Sequence, residues 1–247
     1  MCALATGAAS ASLISVQDEI ALGRQAQQKA TARVPRVTDR AVTDYVTRIG
    51  RRLAAQARGP AYPYSFTVAD ARDINAFALP GGPVWIHRGA IRAAATEAQF
   101  AGVLAHEVAH IARRHAAEQI TTSLAAEGFL GALGAFLGND AGGARAAQLG
   151  AQVLAGGYLL KFSRDDERDA DRAGAQILQR AGWDAHAMID FMETLRRQAG
   201  HDPGSVEAFL STHPAAAERA ALLRDALRHT SGGRKDSPEF QRIRSRL

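Results

Sequence analysis

One stretch of the sequence is the most informative about fold and function: Leu104-Ala105-His106-Glu107-Val108-Ala109-His110-Ile111. Residues four apart lie on one face of an α-helix, so His106 and His110 can bind a common metal ion. Two imidazoles at this spacing suit tetrahedral zinc, for which Zn–N distances are about 2.0–2.1 Å. Glu107 cannot share that ligand geometry, but it can reach a water bound to the metal and act as a general base. The motif therefore predicts one Zn²⁺ per chain.

The residues around the motif predict a long, mostly apolar helix. Thr96 and Gln99 fit a capping box, and the helix is expected to run to about Ala117. Its apolar stripe consists of Phe100, Val103, Leu104, Val108 and Ile111. The alternative is a surface helix with two solvated histidines. The apolar flanks oppose that alternative, because charged side chains are seldom buried unless they are paired or bound to metal.

A third ligand is required, because a catalytic zinc site has three protein ligands and one open position. The next strong helix opens with Ser163 as its N-cap and carries Glu167 and Asp171 on one face. We predict that Glu167 is the third ligand and that Asp171 accepts the outer N–H of a ligating histidine. Without the histidine pair upstream, a solvated helix face of mixed charge would be the simpler interpretation.

The metzincin variant of this site is excluded. It requires a glycine three positions after the second histidine and a third histidine six positions after it. Arg113 and Ala116 occupy those positions. His115 is five positions after His110 and lies off the ligand face of a continuous helix. Its role is either structural or that of an outer contact to a ligand.

The composition is ordinary for a globular protein. Of the 247 residues, 47% are apolar and 22% are charged, and the abundant alanine favours helix. The formal charge of +5 indicates a solvated basic surface, or alternatively attraction to anionic lipid or nucleic acid. Because no nucleic-acid-binding motif accompanies this charge, we predict that nucleic acid is not a partner.

Cys2 is the only cysteine, so no internal disulfide is expected. The small residues at 3–12 make this start typical of a mature bacterial lipoprotein, in which a lipidated Cys2 would provide a membrane anchor. A chance cysteine in a disordered terminus is an equally good interpretation.

The remaining pattern predicts an α+β fold that is mostly α-helical, with a small antiparallel sheet beside the histidine helix. Short strands are expected at 64–68, 75–79 and 84–87, and the last two form a hairpin through Pro80-Gly81-Gly82-Pro83. Asp184 and Pro214 are each expected to begin a helix. The predicted organisation is a flexible segment at 1–15, a single domain at 16–230 and a polar tail at 231–247. An Ala/Gly/Leu-rich region at 121–161 predicts weak helices that either cover the site or leave it open.

Four stretches resemble the gluzincin zinc metallopeptidase family that contains HtpX and the CAAX prenyl proteases, and within it the soluble bacterial envelope branch of BepA/LoiP-like peptidases. They are, in order, Asn75-Ala76-Phe77-Ala78-Leu79-Pro80-Gly81-Gly82, the histidine motif, Glu167-Arg168-Asp169-Ala170-Asp171-Arg172, and Thr212-His213-Pro214 followed by Arg219. The resemblance implies a zincin-like fold with zinc at His106, His110 and Glu167. It also implies that the strand of Asn75, Ala76, Phe77 and Ala78 is the edge to which substrate backbone adds.

The resemblance gives His213 and Arg219 catalytic roles that the sequence alone leaves open. His213 can approach the metal as a fourth ligand and block the water position, or it can simply precede a helix-starting proline. Arg219 can stabilise the oxyanion or brace the site. Asn75 is a further candidate for the oxyanion contact.

These features predict a zinc metalloendopeptidase that hydrolyses internal peptide bonds, with Glu107 as the general base on zinc-bound water. The resemblance implies that its substrates are unfolded or misfolded proteins. The resemblance places it in the bacterial cell envelope, in the periplasm or as an outer-membrane lipoprotein, with no obligate partner. The alternative is a protease-like, metal-binding chaperone or adaptor that is held inactive.

Overall fold

The computed structural model describes residues 14–126 and 162–247. Its helices and strands are α1 (Val16–Arg33), α2 (Arg40–Ala54), β1 (Ser65–Ala69), β2 (Ala76–Ala78), β3 (Pro83–His87), α3 (Arg88–Ala93), α4 (Glu97–Ala112), α5 (His115–Ala126), α6 (Arg164–Arg180), α7 (Ala187–His201), α8 (Glu207–Thr212), α9 (Ala216–Ala226) and α10 (Pro238–Arg244). The predicted fold class, α+β and mostly helical, is confirmed. The predictions for Cys2 and for most of 121–161 concern residues outside the described ranges.

The small sheet is mixed, so the prediction of an antiparallel sheet was wrong in part. The strand order is β1-β3-β2, in which β2 pairs antiparallel with β3, and β1 pairs parallel with it. The chain passes from β1 to the far edge before the β2–β3 hairpin brings β3 back between them. Alternation of side chains predicts a strand and its faces, but it does not predict the partner or its direction.

Helix α4 lies at the centre of the described structure, and all sixteen of its residues are buried. Helices α2, α6 and α7 and strand β2 pack around it. Gly174 on α6 permits a close approach to α4, because a Cβ there would lie 3.2 Å from the backbone of His106. The acidic start of α6 is thereby brought against the histidine motif.

Helix α4 ends at Ala112, so the prediction of a helix running to Ala117 was wrong. Arg114 adopts a left-handed conformation (φ 64°), and α5 begins at His115. A non-glycine residue pays roughly 1–2 kcal/mol for this conformation. The Arg114 Nε donates a hydrogen bond of 2.6 Å to Glu19 Oε1, which holds the turn in place. Glu19 is itself buried and accepts a hydrogen bond from the Tyr62 hydroxyl at 2.9 Å.

Both ends of the described chain contribute to the packing. Ile14 packs with Leu22 and Ile120, although it falls in the segment predicted to be flexible. The predicted polar tail contains α10, which is capped by Ser237 and buries Phe240 and Ile243 in the main core. The prediction of a tail was therefore wrong for these residues, because two apolar side chains in a polar segment are enough to dock one short helix. No helix within the described residues is long and apolar enough to cross a bilayer.

Candidate metal centre

Four buried side chains from three parts of the chain converge on one point. His106 and His110 project from α4, Glu167 projects from the first turn of α6, and His213 follows the last residue of α8. One ligand atom from each lies within 4.8 Å of the other three. The structure therefore brings together the three predicted metal ligands and the residue proposed as a fourth.

The distances between these atoms fit a tetrahedral metal ion. His110 Nε2 lies 3.0 Å from His106 Nε2 and 3.3 Å from Glu167 Oε1, and His106 Nε2 lies 3.5 Å from Glu167 Oε2. His213 Nδ1 lies 2.9 Å from Glu167 Oε1 and 3.3 Å from His106 Nε2. Ligands about 2.0–2.1 Å from zinc at the corners of a tetrahedron are about 3.3 Å apart. Three imidazoles and a carboxylate also form a donor set that zinc prefers.

The electrostatics of the cluster match its chemistry. Burial lowers the pKa of His110 well below its usual range, which favours the neutral imidazole that binds metals. Burial also lowers the pKa of His106, but hydrogen bonds with Asp171 and Glu167 outweigh it and raise the pKa to about 9. Burial would raise the pKa of Glu167, but attraction to His213 and contacts with the other two histidines hold it far below its usual range. Metal binding at these atoms would require a neutral His106, because a protonated imidazole nitrogen has no lone pair to offer.

Asp171 and Arg219 support His106 and Glu167 from behind. Asp171 Oδ1 lies 3.1 Å from His106 Nδ1. Arg219 donates two hydrogen bonds of 2.7 Å to the Asp171 carboxylate, and its third nitrogen lies 2.5 Å from Glu167 Oε2. This geometry favours a structural role for Arg219 over contact with the oxyanion, because its guanidinium already binds the carboxylates of Asp171 and Glu167.

Glu107 is fully buried beside the ligand cluster. Neither of its carboxylate oxygens has a hydrogen-bond partner among the described residues. Burial raises the pKa of Glu107, against the opposing effects of His213, His106 and the backbone amide of Ala78. A buried carboxylate without partners costs free energy unless it serves a ligand or an ion. The Glu107 carboxylate is therefore free to accept a hydrogen bond from a substrate or a water molecule.

His213 touches both the ligands and the candidate base. Its Nδ1 is in the cluster, and its Nε2 lies 3.5 Å from Glu107 Oε1. Phe209 packs against the ring at a centroid distance of 4.7 Å. The predicted helix start at Pro214 was wrong by two residues: α9 begins at Ala216, because Ala215 adopts a left-handed conformation (φ 63°). His213, two residues before Ala215, is buried (1% exposed).

Strand β2 is one of the two edge strands of the sheet among the described residues, and it lies beside α4. The His87 amide donates to the Asn75 carbonyl, and the Leu79 amide donates to the Pro83 carbonyl. In an antiparallel pair, main-chain groups alternate between the partner and the opposite side. The main-chain groups of Ala76 and Ala78 therefore point away from β3. Asn75 precedes this strand, and Phe77 stacks on Trp85.

An apolar pocket opens beside the cluster, and it was missed by the sequence analysis. Its walls include Met188, Met192 and Leu195 of α7 and Phe209 of α8, and His106 and Arg219 border it. The pocket is narrow and partly open to solvent. Phe162, also missed, stacks on His110 at a centroid distance of 3.9 Å. Scattered apolar residues carry no local signal that distinguishes a pocket wall from ordinary core.

Two histidines on α4, a glutamate from α6 and a second buried glutamate beside them define the metallopeptidase class of site in which His₂Glu holds zinc. The model of Peptidase family M48 matches residues 40–227. Because this match covers more than half of the chain, the chain belongs to that family.

Three relatives illustrate the range of similar proteins. The chain is 32% identical over 224 residues to the beta-barrel assembly-enhancing protease of Escherichia coli, covering 89% of this chain and 46% of the relative. It is 33% identical over 187 residues to the mitochondrial metalloendopeptidase OMA1 of Schizosaccharomyces pombe (75% of this chain, 53% of the relative). It is 30% identical over 186 residues to the metalloprotease YcaL of Escherichia coli (73% and 71%). The chain thus spans about half the length of the first of these.

Proposed function

We propose that this protein is a zinc metalloendopeptidase in which His106, His110 and Glu167 hold the metal and Glu107 is the general base. The observation that carries the proposal is the convergence of four buried ligand atoms within 4.8 Å of one another, directly beside Glu107. Membership of Peptidase family M48 supports the same reaction class.

In the proposed reaction, Glu107 takes the proton from the attacking water and passes it to the leaving amine. When bound, zinc supplies a Lewis acid that polarises the scissile carbonyl and activates water near neutral pH. Burial raises the pKa of Glu107 and so makes it a stronger base than an exposed carboxylate. The closed surroundings also exclude bulk water from the reacting groups.

His213 is proposed to control access to this site. Its Nδ1 takes one corner of the ligand set, and its Nε2 faces Glu107. With the imidazole in that place, the corner is not open to water, so His213 and the end of α8 must move before substrate can be cleaved. After that movement, the ring is a candidate to contact the oxyanion.

Substrate is proposed to bind along β2 as an added strand. The main-chain groups of Ala76 and the carbonyl of Ala78 point away from β3 and are offered for that pairing. The Ala78 amide is close enough to Glu107 to lower its pKa. Main-chain pairing accepts many sequences, which suits an unfolded protein substrate. The apolar pocket beside His106 would then receive an apolar side chain next to the scissile bond.

The bacterial cell envelope is the proposed location, supported by the similarity to the beta-barrel assembly-enhancing protease. A periplasmic protein and a lipoprotein anchored through Cys2 are two forms of that proposal. Misfolded envelope proteins are the proposed natural substrates, and no nucleic acid is involved.

Zinc content and casein cleavage, measured on the same preparations, test the function. Glu107→Gln should keep zinc and lose at least about 100-fold in cleavage, because a general base contributes about 10²–10⁴-fold. His110→Ala should lose both zinc and cleavage, whereas His229→Ala, at an exposed histidine outside the cluster, should lose neither. Full cleavage by Glu107→Gln would disprove the assigned base. Zinc binding without any chelator-sensitive cleavage by the wild type would favour the inactive chaperone or adaptor.

A further inference from the structure

His115 lies outside the ligand cluster but contacts one of its members. His110 presents Nε2 to the cluster, and its other ring nitrogen, Nδ1, lies 2.9 Å from Nδ1 of His115. His115 is 4% exposed, so water does not compete freely for this contact. A ligating histidine usually donates its outer N–H to a carboxylate, a carbonyl or water. Here a second imidazole occupies that place.

The proton positions in this pair follow from the surroundings. A neutral imidazole has one donor and one acceptor nitrogen. If His110 binds metal through Nε2, its proton is on Nδ1 and is donated to Nδ1 of His115. The proton of His115 is then on Nε2, which lies 3.4 Å from Asp169 Oδ2. Asp169 is in turn paired with Arg113 Nε at 3.0 Å.

The backbone break after α4 is what places His115 there. On a continuous helix, five residues advance by about 500°, which would leave His115 about 140° around the axis from His110. The left-handed turn at Arg114 ends α4 and starts α5 in a new direction, with the two rings 5.0 Å apart. Backbone strain of this kind persists where the surrounding structure enforces it and is concentrated at functional sites. The enforcing contact here is the hydrogen bond from Arg114 to the buried Glu19.

We propose that His115 is a positioning residue for His110: it accepts the outer N–H and so fixes the tautomer and ring orientation that direct Nε2 into the ligand cluster. Phe162 stacks on the His110 ring and restrains its tilt, but it offers no acceptor. Of these two neighbours, His115 is therefore the one that selects the tautomer. This inference rests on the proposed function to the extent that the cluster binds zinc.

The test is the Zn²⁺ dissociation constant, measured by competition with a chromogenic chelator. His115→Phe keeps a ring but removes the acceptor, and it should weaken zinc binding by about 10–100-fold. His115→Asn places an amide oxygen near the position of Nδ1, and it should stay within a few-fold of the wild type. His87→Phe is the matched control, because His87 also bonds an aspartate, Asp73, but lies outside the cluster. An unchanged dissociation constant in His115→Phe would overturn the proposal.

A second measurement does not depend on any variant folding. In zinc-loaded wild type, long-range proton–nitrogen NMR spectra of the histidine rings should place the proton of His110 on Nδ1 and that of His115 on Nε2. A proton on Nδ1 of His115 would remove the acceptor and sink the inference. Failure of the wild type to bind zinc would instead refute the proposed function, so the two failures are distinguishable.

Discussion

Replacing Arg219 with methionine should destabilise the metal-free protein severely. The guanidinium is 5% exposed, donates two hydrogen bonds of 2.7 Å to Asp171 and lies 2.5 Å from Glu167. Its removal leaves two buried carboxylates without the guanidinium, and among the described residues only the histidine rings remain beside them as polar partners. Breaking a buried ion pair by removing one partner costs about 3–5 kcal/mol. For a chain of this size, that loss corresponds to a decrease in Tm of about 6–20 °C.

The assay is thermal unfolding in the presence of a chelator, so that loss of metal does not contribute. Arg168→Met is the matched control: Arg168 joins the same two helices through Glu218, but both side chains are substantially exposed. Exposed pairs contribute little to stability, so its Tm should stay close to that of the wild type. The double variant Arg219→Met, Asp171→Asn should recover part of the loss, because it removes one unpaired charge. Equal Tm values for the two single arginine variants would refute the reasoning.

Two further predictions concern pH and substrate choice. The pKa of Asp171 is lowered in the fold to about 2 from 3.8, so its stabilising contribution is present above pH 3.8 and is lost as the pH falls towards 2. Acid unfolding of Asp171→Asn should therefore show a weaker pH dependence than that of the wild type in that window. An identical profile would contradict the assignment. Leu195→Asp places a negative charge in the apolar pocket. The ratio of kcat/KM for a peptide with leucine to that for a peptide with lysine next to the scissile bond should therefore fall at least tenfold. An unchanged ratio would exclude the pocket from substrate binding.

The parts of the site that could be predicted from sequence are those fixed by spacing within one helix. His106 and His110 share a face whatever surrounds them, and so do Glu167 and Asp171. Ser163 also predicts the start of α6, and it caps that helix as expected. The meeting of the two helices was inferred from the need for a third ligand and from resemblance, since no local pattern determines how helices pack.

The features that were missed depend on contacts between distant residues. The end of α4 was predicted five residues too late, because the turn at Arg114 is held by Glu19, 95 positions earlier, and no glycine or proline marks it. The helix at 238–244 escaped detection because only Phe240 and Ile243 provide its apolar contacts. The direction of β1 relative to β3 is equally a product of tertiary structure.

Under the proposed function, the complete enclosure of α4 would separate the reaction from the choice of substrate. A helix with no exposed residue has little freedom to accept substitutions, since each change in volume affects a close-packed neighbour. The groups that would contact the substrate on either side of the reacting bond belong instead to β2, α7 and α8. Under the same proposal, substitutions in those elements would change selectivity while the sequence of α4 stays constant.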